Sequence, residues 1–419
     1  MGRGIQMTIR KTTSRRDALW MLGSSAALLT SGCSGPERLP ALPAQYTADA
    51  NPLGLANARF FPDTEAGDMR GEGTESLRRE MAAWRAAGNT GPLPAANFLA
   101  ISGGGDNGAF GSGLLVGWTQ AGNRPQFKLV TGVSTGSLIS PFAFLGTAFD
   151  EPLKAVYTTI TPPQVYRPRS LVMAVFDDAL ADTSPLAQVI AQYMDEKMMT
   201  AIAAEYQKGR LLLIGTTNLD AQRPCIWNIG AIAASGHPGA LGLVRQILRA
   251  SSAVPGVFQP VLITVEYQGK QYQEMHVDGG AIAQLFLYPP SIHLGTAAPA
   301  RARRAYIIRN ARLDADWADT EPRTLTIAGR AISTMLATSG RNDVLRTYFV
   351  TQRDGVDYNL AYIGADFTPP REKTGEFDQV YMNALYEYGY REAMDGRAWH
   401  KLPPSLEKTV SLEKAMTKP

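Results

Sequence analysis

Residues 97–108 read Asn-Phe-Leu-Ala-Ile-Ser-Gly-Gly-Gly-Asp-Asn-Gly. The first six predict a short buried strand, and the residues that follow the glycines predict a helix over 110–118. Between them, Gly103, Gly104 and Gly105 allow a sharp turn that leaves backbone N–H groups open to a ligand. The helix N-terminus adds the positive end of its dipole. The loop therefore favours a negative charge, either a phosphate or a developing oxyanion.

The same loop also matches the dinucleotide-binding pattern G-x-G-x-x-G, which ends at Gly108. That pattern requires an acidic residue about 20 residues further on, at the end of the next strand, to bind a ribose. The next predicted strand, 127–131, carries no acid, so a nucleotide site is disfavoured. A tight turn with a purely structural role is a third interpretation.

The strand 127–131 leads into a second motif, which reads Gly-Val-Ser-Thr-Gly over residues 132–136. The pattern alone is weak, because glycine and serine are common. Its position between a strand and a predicted helix is that of a nucleophile elbow, a strained turn that lifts a serine hydroxyl clear of a sheet. The flanking Gly132 and Gly136 permit such a turn, which makes Ser134 a candidate nucleophile.

A third motif, Asp278-Gly279-Gly280, follows a predicted strand over 273–277. An aspartate at a strand end beside two glycines can be held close to another backbone, where burial would raise its basicity. A simple Asp-Gly turn is the alternative interpretation.

The rest of the sequence alternates strand and helix patterns, which predicts an α/β fold with a mostly parallel central sheet sandwiched by helices. The further predicted elements are strands at 211–217 and 305–309, and helices at 75–87, 239–250, 327–339 and 381–393.

Together, the three motifs resemble the patatin-like phospholipase family over roughly residues 98–289. The stretch Ala-Ser-Ser-Ala-Val-Pro-Gly-Val-Phe at 250–258 is similar to the block that precedes the family's aspartate strand. The resemblance implies a patatin-like fold and a serine acyl hydrolase of the phospholipase A or lysophospholipase type. It implies that Ser134 is the nucleophile, that Asp278 is the general base, and that the three glycines of the first motif frame the oxyanion hole. It requires no metal or organic cofactor.

One position departs from the family pattern. The family commonly carries Arg or Lys where this sequence has Asn107. Without that cation, the charge of the transition state has to be stabilised by backbone N–H groups.

Two alternatives to this site are a different type of hydrolase and a protein that is not an enzyme. A Ser-His-Asp triad would recruit a histidine that follows the acid, His293 or His400, and His276 is a candidate neighbour of Asp278. A non-catalytic envelope lipoprotein that retains the fold is the second alternative. A fluorophosphonate probe separates it from an enzyme, because only an activated serine reacts.

Composition excludes several other classes of protein. The formal charge of +3 is misleading, since the first 32 residues hold five basic residues and one acid. The remainder is nearly neutral and gives no electrostatic case for nucleic-acid binding. Two cysteines, Cys33 and Cys225, exclude a disulfide scaffold, and the four histidines show no metal-ligand spacing.

The N-terminus is similar to an export signal. A twin-arginine pattern at 14–19 precedes an apolar stretch over about 18–30, which is too short to span a bilayer. The stretch ends in Leu-Leu-Thr-Ser-Gly-Cys, which resembles a bacterial lipoprotein cleavage site and implies that Cys33 is lipidated. A plain signal peptide with an incidental cysteine, or a short uncleaved anchor, are the alternatives.

These patterns predict four segments and a location in the cell. The segments are a signal peptide at 1–32, a lipidated tether with an N-terminal helix at 33–95, a catalytic domain at 96–310 and a mostly helical extension packed on the core at 311–419. The expected location is the bacterial cell envelope, facing the periplasm and held to the membrane by the lipid anchor. Ser34, next to the cysteine, favours the outer membrane. The expected partner is a membrane lipid or other acyl ester.

Stable anchoring to a membrane requires more than one acyl chain, and the lipidation hypothesis places these chains on Cys33. Cys33→Ser removes them and should therefore release the protein into the soluble fraction. Its rate on a small soluble ester should not change, while its rate on vesicle lipid should fall. Cell fractionation and the two assays test this. A variant that stays in the membrane fraction would contradict the anchor.

Overall fold

The structure is a computed structural model and describes residues 38–63, 66–169, 179–294 and 301–407. The predicted signal peptide at 1–32 and Cys33 lie outside the described residues, so export and lipidation stay predictions. Within the described ranges, no helix is both long enough and apolar enough to cross a membrane.

The described part of the chain folds into a mixed, mostly parallel sheet of nine strands that is flanked by helices, together with a two-stranded ribbon formed by β4 and β5. The strands are β1 (Arg59–Phe60), β2 (Ala96–Ile101), β3 (Leu129–Val133), β4 (Arg167–Pro168), β5 (Ala181–Asp182), β6 (Leu211–Asn218), β7 (Arg223–Asn228), β8 (Val261–Tyr267), β9 (Lys270–Asp278), β10 (Arg303–Arg309) and β11 (Asp357–Tyr362). The α-helices are α1 (Ala66–Ala86), α2 (Gly108–Gln120), α3 (Thr135–Leu145), α4 (Asp150–Thr159), α5 (Pro162–Val165), α6 (Ser184–Tyr193), α7 (Glu196–Gln207), α8 (Ile229–Ala234), α9 (Ala240–Ser251), α10 (Thr324–Arg353) and α11 (Gln379–Met394).

The order of the strands across the sheet is β1-β7-β6-β3-β2-β10-β11. The five strands from β6 to β11 in this order run parallel, whereas β7 is antiparallel to β6. Alternate residues of β2 belong to two hydrophobic cores, with Leu99 and Ile101 in one and Phe98 and Ala100 in the other. Both faces of the sheet are therefore covered, as expected for parallel strands.

Strand β6 pairs with two partners along one edge. Its first part pairs in parallel with β3, ending at Val133 opposite Gly215. The next residue, Thr216, pairs with Asp278 of the antiparallel strand β9. The end of β3 and the end of β9 therefore meet at one point on the sheet.

The predicted α/β fold is confirmed, and β2, β6, β9 and β10 lie where the sequence patterns predict strands. Strand β3 begins two residues later than predicted, at Leu129. The sequence analysis did not predict β7, β8 or β11. The last of these lies within the predicted C-terminal extension and pairs in parallel with β10. The domain boundary at residue 310 stays a prediction.

Helices α2 and α11 pack unusually close together because glycines lie at their interface. A methyl group added at Gly113 would overlap with the carbonyl oxygen of Tyr386, and one at Gly117 would overlap with that of Tyr390. Gly389 approaches the carbonyl of Phe110 in the same way. This contact fixes the C-terminal helix against the helix that follows the glycine loop.

We expect Gly113→Ala to lower the free energy of unfolding by about 1–3 kcal/mol, because the added methyl group forces the two helices apart. Gly242→Ala is the matched control, since Gly242 lies in α9 with open space around it. Alanine there should be neutral or stabilising by up to about 1 kcal/mol. Urea denaturation of both variants tests the close packing, and equal stability of the two would contradict it.

Candidate active site

Ser134 lies on a strained turn between the end of β3 and the start of α3. Its backbone has φ of 56° and ψ of −130°, a conformation that side-chain-bearing residues rarely adopt. Close packing holds the turn, because a methyl group at Gly136 would overlap with the carbonyl of Ile101 and one at Gly132 would overlap with the hydroxyl of Ser140. The geometry is that of the predicted nucleophile elbow.

Ser251 supports this turn from below. Its buried hydroxyl accepts a hydrogen bond from the backbone N–H of Ser134 at 3.0 Å and donates to the carbonyl of Gly215 at 2.7 Å. The sequence analysis singled out residues 250–258 by resemblance alone and gave Ser251 no role. Only the fold brings it to the elbow.

Asp278 lies beside Ser134 because β6 aligns the ends of β3 and β9. The carboxyl group contacts the Ser134 hydroxyl and accepts the N–H of Gly280 at 2.7 Å. Gly279 is required here, since a methyl group would lie 2.6 Å from the carbonyl oxygen of Gly215. Burial raises the pKa of Asp278 to about 6, against the opposing effect of the hydrogen bonds from Ser134 and Gly280.

The glycine loop passes directly beside Ser134. A methyl group at Gly103 would lie 3.1 Å from Cβ of Ser134, and one at Gly104 would overlap with the carbonyl of Asn310. Gly105 has φ of 58° and open space around it, so its backbone faces the cavities described below. The loop continues into Gly108, where a methyl group would overlap with the hydroxyl of Thr135.

Polar side chains anchor the outer half of the loop. Asp106 is buried, accepts the N–H of Phe377 at 2.8 Å and forms an ion pair with Lys373 at 2.7 Å. The amide oxygen of Asn107 accepts a hydrogen bond from the hydroxyl of Tyr381 at 2.7 Å. Both residues therefore tie the loop to the C-terminal segment.

Two cavities meet at Ser134. One is lined almost entirely by apolar side chains, with Leu138, Phe142 and Met194 among them. The other is a cleft that Asp278 and Arg309 also line. The sequence analysis did not predict Arg309 as a site residue.

The histidines do not face Ser134 among the described residues. The ring of His276 is buried, with Nδ1 3.0 Å from the hydroxyl of Thr216 and Nε2 3.2 Å from Glu274, which is ion-paired with Arg59. Burial lowers the pKa of His276 and keeps the ring neutral. The other histidines, His237, His293 and His400, line neither cavity.

The described residues contain no cluster of three or more His, Cys, Asp or Glu side chains placed to hold a metal ion. Cys225 of β7 is buried as a free thiol, and burial raises its pKa to about 12. It contributes to packing rather than to the cavities around Ser134.

Part of the chain matches a known protein family. Residues 99–289 match the family model described as patatin-like phospholipase. Patatin-like phospholipases act on lipid esters, and the family implies a lipid acyl hydrolase. No curated protein matches the chain.

Two solved structures resemble the chain at low identity. VipD from Legionella pneumophila is 11% identical, with a TM-score of 0.35, over 73% of this chain and 67% of VipD. The type III effector protein ExoU is 13% identical, with a TM-score of 0.24, over 74% of this chain and 56% of ExoU.

The raised pKa of Asp278 predicts a pH-dependent cost to stability. Because the folded-state pKa of about 6 exceeds the ordinary 3.8, the carboxyl stabilises the fold most at low pH and loses that contribution as the pH rises through 6. Asp278→Asn should therefore raise the free energy of unfolding at pH 7 by about 2–3 kcal/mol and have little effect at pH 4.

Denaturation curves between pH 4 and pH 8 measure this difference. Asp319→Asn, at an exposed position, is the control and should leave stability unchanged within about 0.5 kcal/mol. A constant difference between wild type and Asp278→Asn across this range would contradict the buried, weakly acidic carboxyl.

Proposed function

We propose that this protein is a serine acyl hydrolase that cleaves membrane lipid esters with Ser134 as nucleophile and Asp278 as general base. The observation that carries the proposal is the contact between a buried carboxyl of raised pKa and a serine hydroxyl on a strained elbow. A serine hydroxyl requires an adjacent base to become nucleophilic, and this carboxyl is within its reach.

The two cavities support a lipid substrate. A fatty acyl chain fits the apolar cavity, which begins at Ser134 and extends among side chains of α3, α6 and α9. The second cleft, which Asp278, Gln284 and Arg309 supply with polar groups, suits the leaving alcohol. A substrate that spans both cavities would place its ester carbonyl at the serine.

The reaction follows from these positions. Asp278 accepts the proton of Ser134 as Oγ attacks the ester carbonyl, and the N–H groups of the glycine loop at Gly104 and Gly105 stabilise the oxyanion. Collapse of the tetrahedral intermediate breaks the ester bond, and the proton passes from Asp278 to the leaving alcohol. Water, deprotonated by Asp278, then hydrolyses the acyl-enzyme and regenerates the serine.

A Ser-His-Asp triad has less support. Both ring nitrogens of His276 are engaged by Thr216 and Glu274. A non-catalytic role also has less support, since a scaffold has no need of a strained serine beside a buried carboxyl. The proposal also includes an envelope lipoprotein that is tethered through Cys33. Residues 1–37 lie outside the described residues, so the structure does not test this part of the proposal.

Ser134→Ala and Asp278→Asn should each reduce ester turnover by at least about 1,000-fold, while the double variant should be little worse than either, because the pair acts as one unit. Only the serine variant should also lose all labelling by a fluorophosphonate probe. His293→Ala is the control and should retain near-normal activity. Turnover near the wild-type level in Asp278→Asn would remove the proposed base.

The acidic limb of kcat/KM tests the same base through its pKa. Because Asp278 has to be ionised to accept the serine proton, the rate should fall tenfold per pH unit below about pH 6. A limb that instead follows an ordinary exposed carboxyl, near pH 4, would contradict the role of the buried one.

A further inference from the structure

The cleft beside Ser134 contains a cationic side chain, Arg309, which comes from a strand far from the glycine loop in sequence. Arg309 is the last residue of β10, which pairs in parallel with β2. Because the carboxyl ends of parallel strands share one edge, Arg309 lies next to the loop that begins after β2. Asn310 fixes this junction, since its side chain donates to the carbonyl of Ser102 at 2.9 Å and accepts the N–H of Gly111 at 3.1 Å.

The guanidinium of Arg309 is buried without a carboxylate partner. Only 4% of the residue is exposed. Its Nη1 donates to two neutral oxygens, the carbonyl of Gly103 and Oε1 of Gln284, each at 3.3 Å. Its Nε has no hydrogen-bond partner in the described part of the chain. Buried charges in proteins are ordinarily paired, so this arrangement is characteristic of a site that binds an anion.

The acidic side chain near Arg309 already has other partners. Asp343 of α10 interacts with Arg309 electrostatically, but it pairs with Arg346 at 2.7 Å and accepts the backbone N–H of Gln284 at 2.7 Å. Burial lowers the pKa of Arg309 to about 10, so the guanidinium keeps its charge at neutral pH. The cleft therefore contains a fixed positive charge that no acid in the described chain neutralises at ion-pair distance.

The position of this charge relative to Ser134 indicates which anion it would bind. Among the described residues that line the cleft, Arg309 is the one cation, and Ser134 and Asp278 line the same cleft. The glycine loop supplies no further cation, because Asn107 is uncharged and bonded to Tyr381. An ester whose acyl chain enters the apolar cavity directs its alcohol portion into the cleft, towards Arg309.

We propose that Arg309 binds the phosphate of a glycerophospholipid whose ester carbonyl lies at Ser134, and that it thereby selects phospholipids over neutral glycerides. This inference rests on the proposed function and specifies its substrate class. In a glycerophospholipid the phosphate is separated from the acyl esters by only a few bonds of the glycerol. A guanidinium presents paired donors that match phosphate geometry.

A matched pair of substrates isolates the phosphate. Dihexanoyl phosphatidylcholine, used below its micellar concentration, and 1,2-dihexanoylglycerol share the same acyl esters. Arg309→Gln should reduce kcat/KM on the phospholipid by about tenfold or more, mainly through KM, because a charge-assisted contact is lost. It should change the rate on dihexanoylglycerol by less than about threefold. Arg309→Lys keeps the charge but loses the paired donors, so its preference should lie between those of Arg309→Gln and wild type.

Arg323→Gln is the control, since Arg323 is exposed, pairs with Glu321 outside the cleft and should leave both rates unchanged. Equal losses on both substrates in Arg309→Gln would overturn the inference, because they would assign Arg309 to the ester step shared by both. Unchanged rates on both would also overturn it, because they would leave Arg309 a purely structural role.

A second measurement uses the wild-type protein and therefore does not depend on the folding of a variant. Glycerol 3-phosphate should inhibit hydrolysis of p-nitrophenyl hexanoate competitively, while glycerol should not. Inorganic phosphate distinguishes the source of the anion. Inhibition by inorganic phosphate as strong as by glycerol 3-phosphate would assign the cleft to free phosphate and overturn the lipid headgroup.

Failure of the proposed function would give different results from failure of the phosphate site. In that case wild-type protein would hydrolyse neither dihexanoyl substrate, and a fluorophosphonate would not label Ser134. If wild type is labelled and cleaves dihexanoylglycerol, but glycerol 3-phosphate does not inhibit and Arg309→Gln matches wild type, only the phosphate site is wrong.

Discussion

The candidate site depends on strand β6, which pairs along one edge first with β3 and then with β9. Gly215 pairs with Val133 at the end of β3, and the next residue, Thr216, pairs with Asp278 at the end of β9. Backbone hydrogen bonds thus fix the distance between the elbow and the carboxyl, although the two residues lie far apart in sequence. The strain at Ser134 is tolerated because close packing on both sides of the turn leaves the chain no relaxed alternative.

Burial also determines the basicity and the charge pairing of side chains in this region. Asp278 is buried at the end of β9, and burial makes its carboxyl more basic than an exposed one. Arg309 is also buried, and its charge is not neutralised by a close acid. The fold therefore keeps a weak acid and a cation in one cleft, at a cost in stability that the two large hydrophobic cores offset.

Much of this could be predicted from sequence, because the chemistry lies in contiguous motifs. Glycine runs after apolar strands predicted the loop, the elbow and the strand end that carries Asp278. Ser251 and Arg309 could not be predicted in the same way. Each stands in an ordinary local context and reaches the site only through pairing of distant strands. Strand β11 was missed because Asp357 and Asn359 interrupt the continuous apolar run that identified strands such as β6.

The contacts of Asn310 have a consequence for how such a chain can evolve. Residues 99–289 carry the serine, the aspartate and the glycine loop. Three groups that support this site come later in the chain. They are strand β10, which pairs with β2, the side chain of Asn310, which bonds to Ser102 and Gly111, and the carboxylate of Asp343, which accepts the N–H of Gln284. A recombination event that transferred the motif-bearing segment alone would move the serine and aspartate side chains without their support. The two parts are therefore expected to be inherited together.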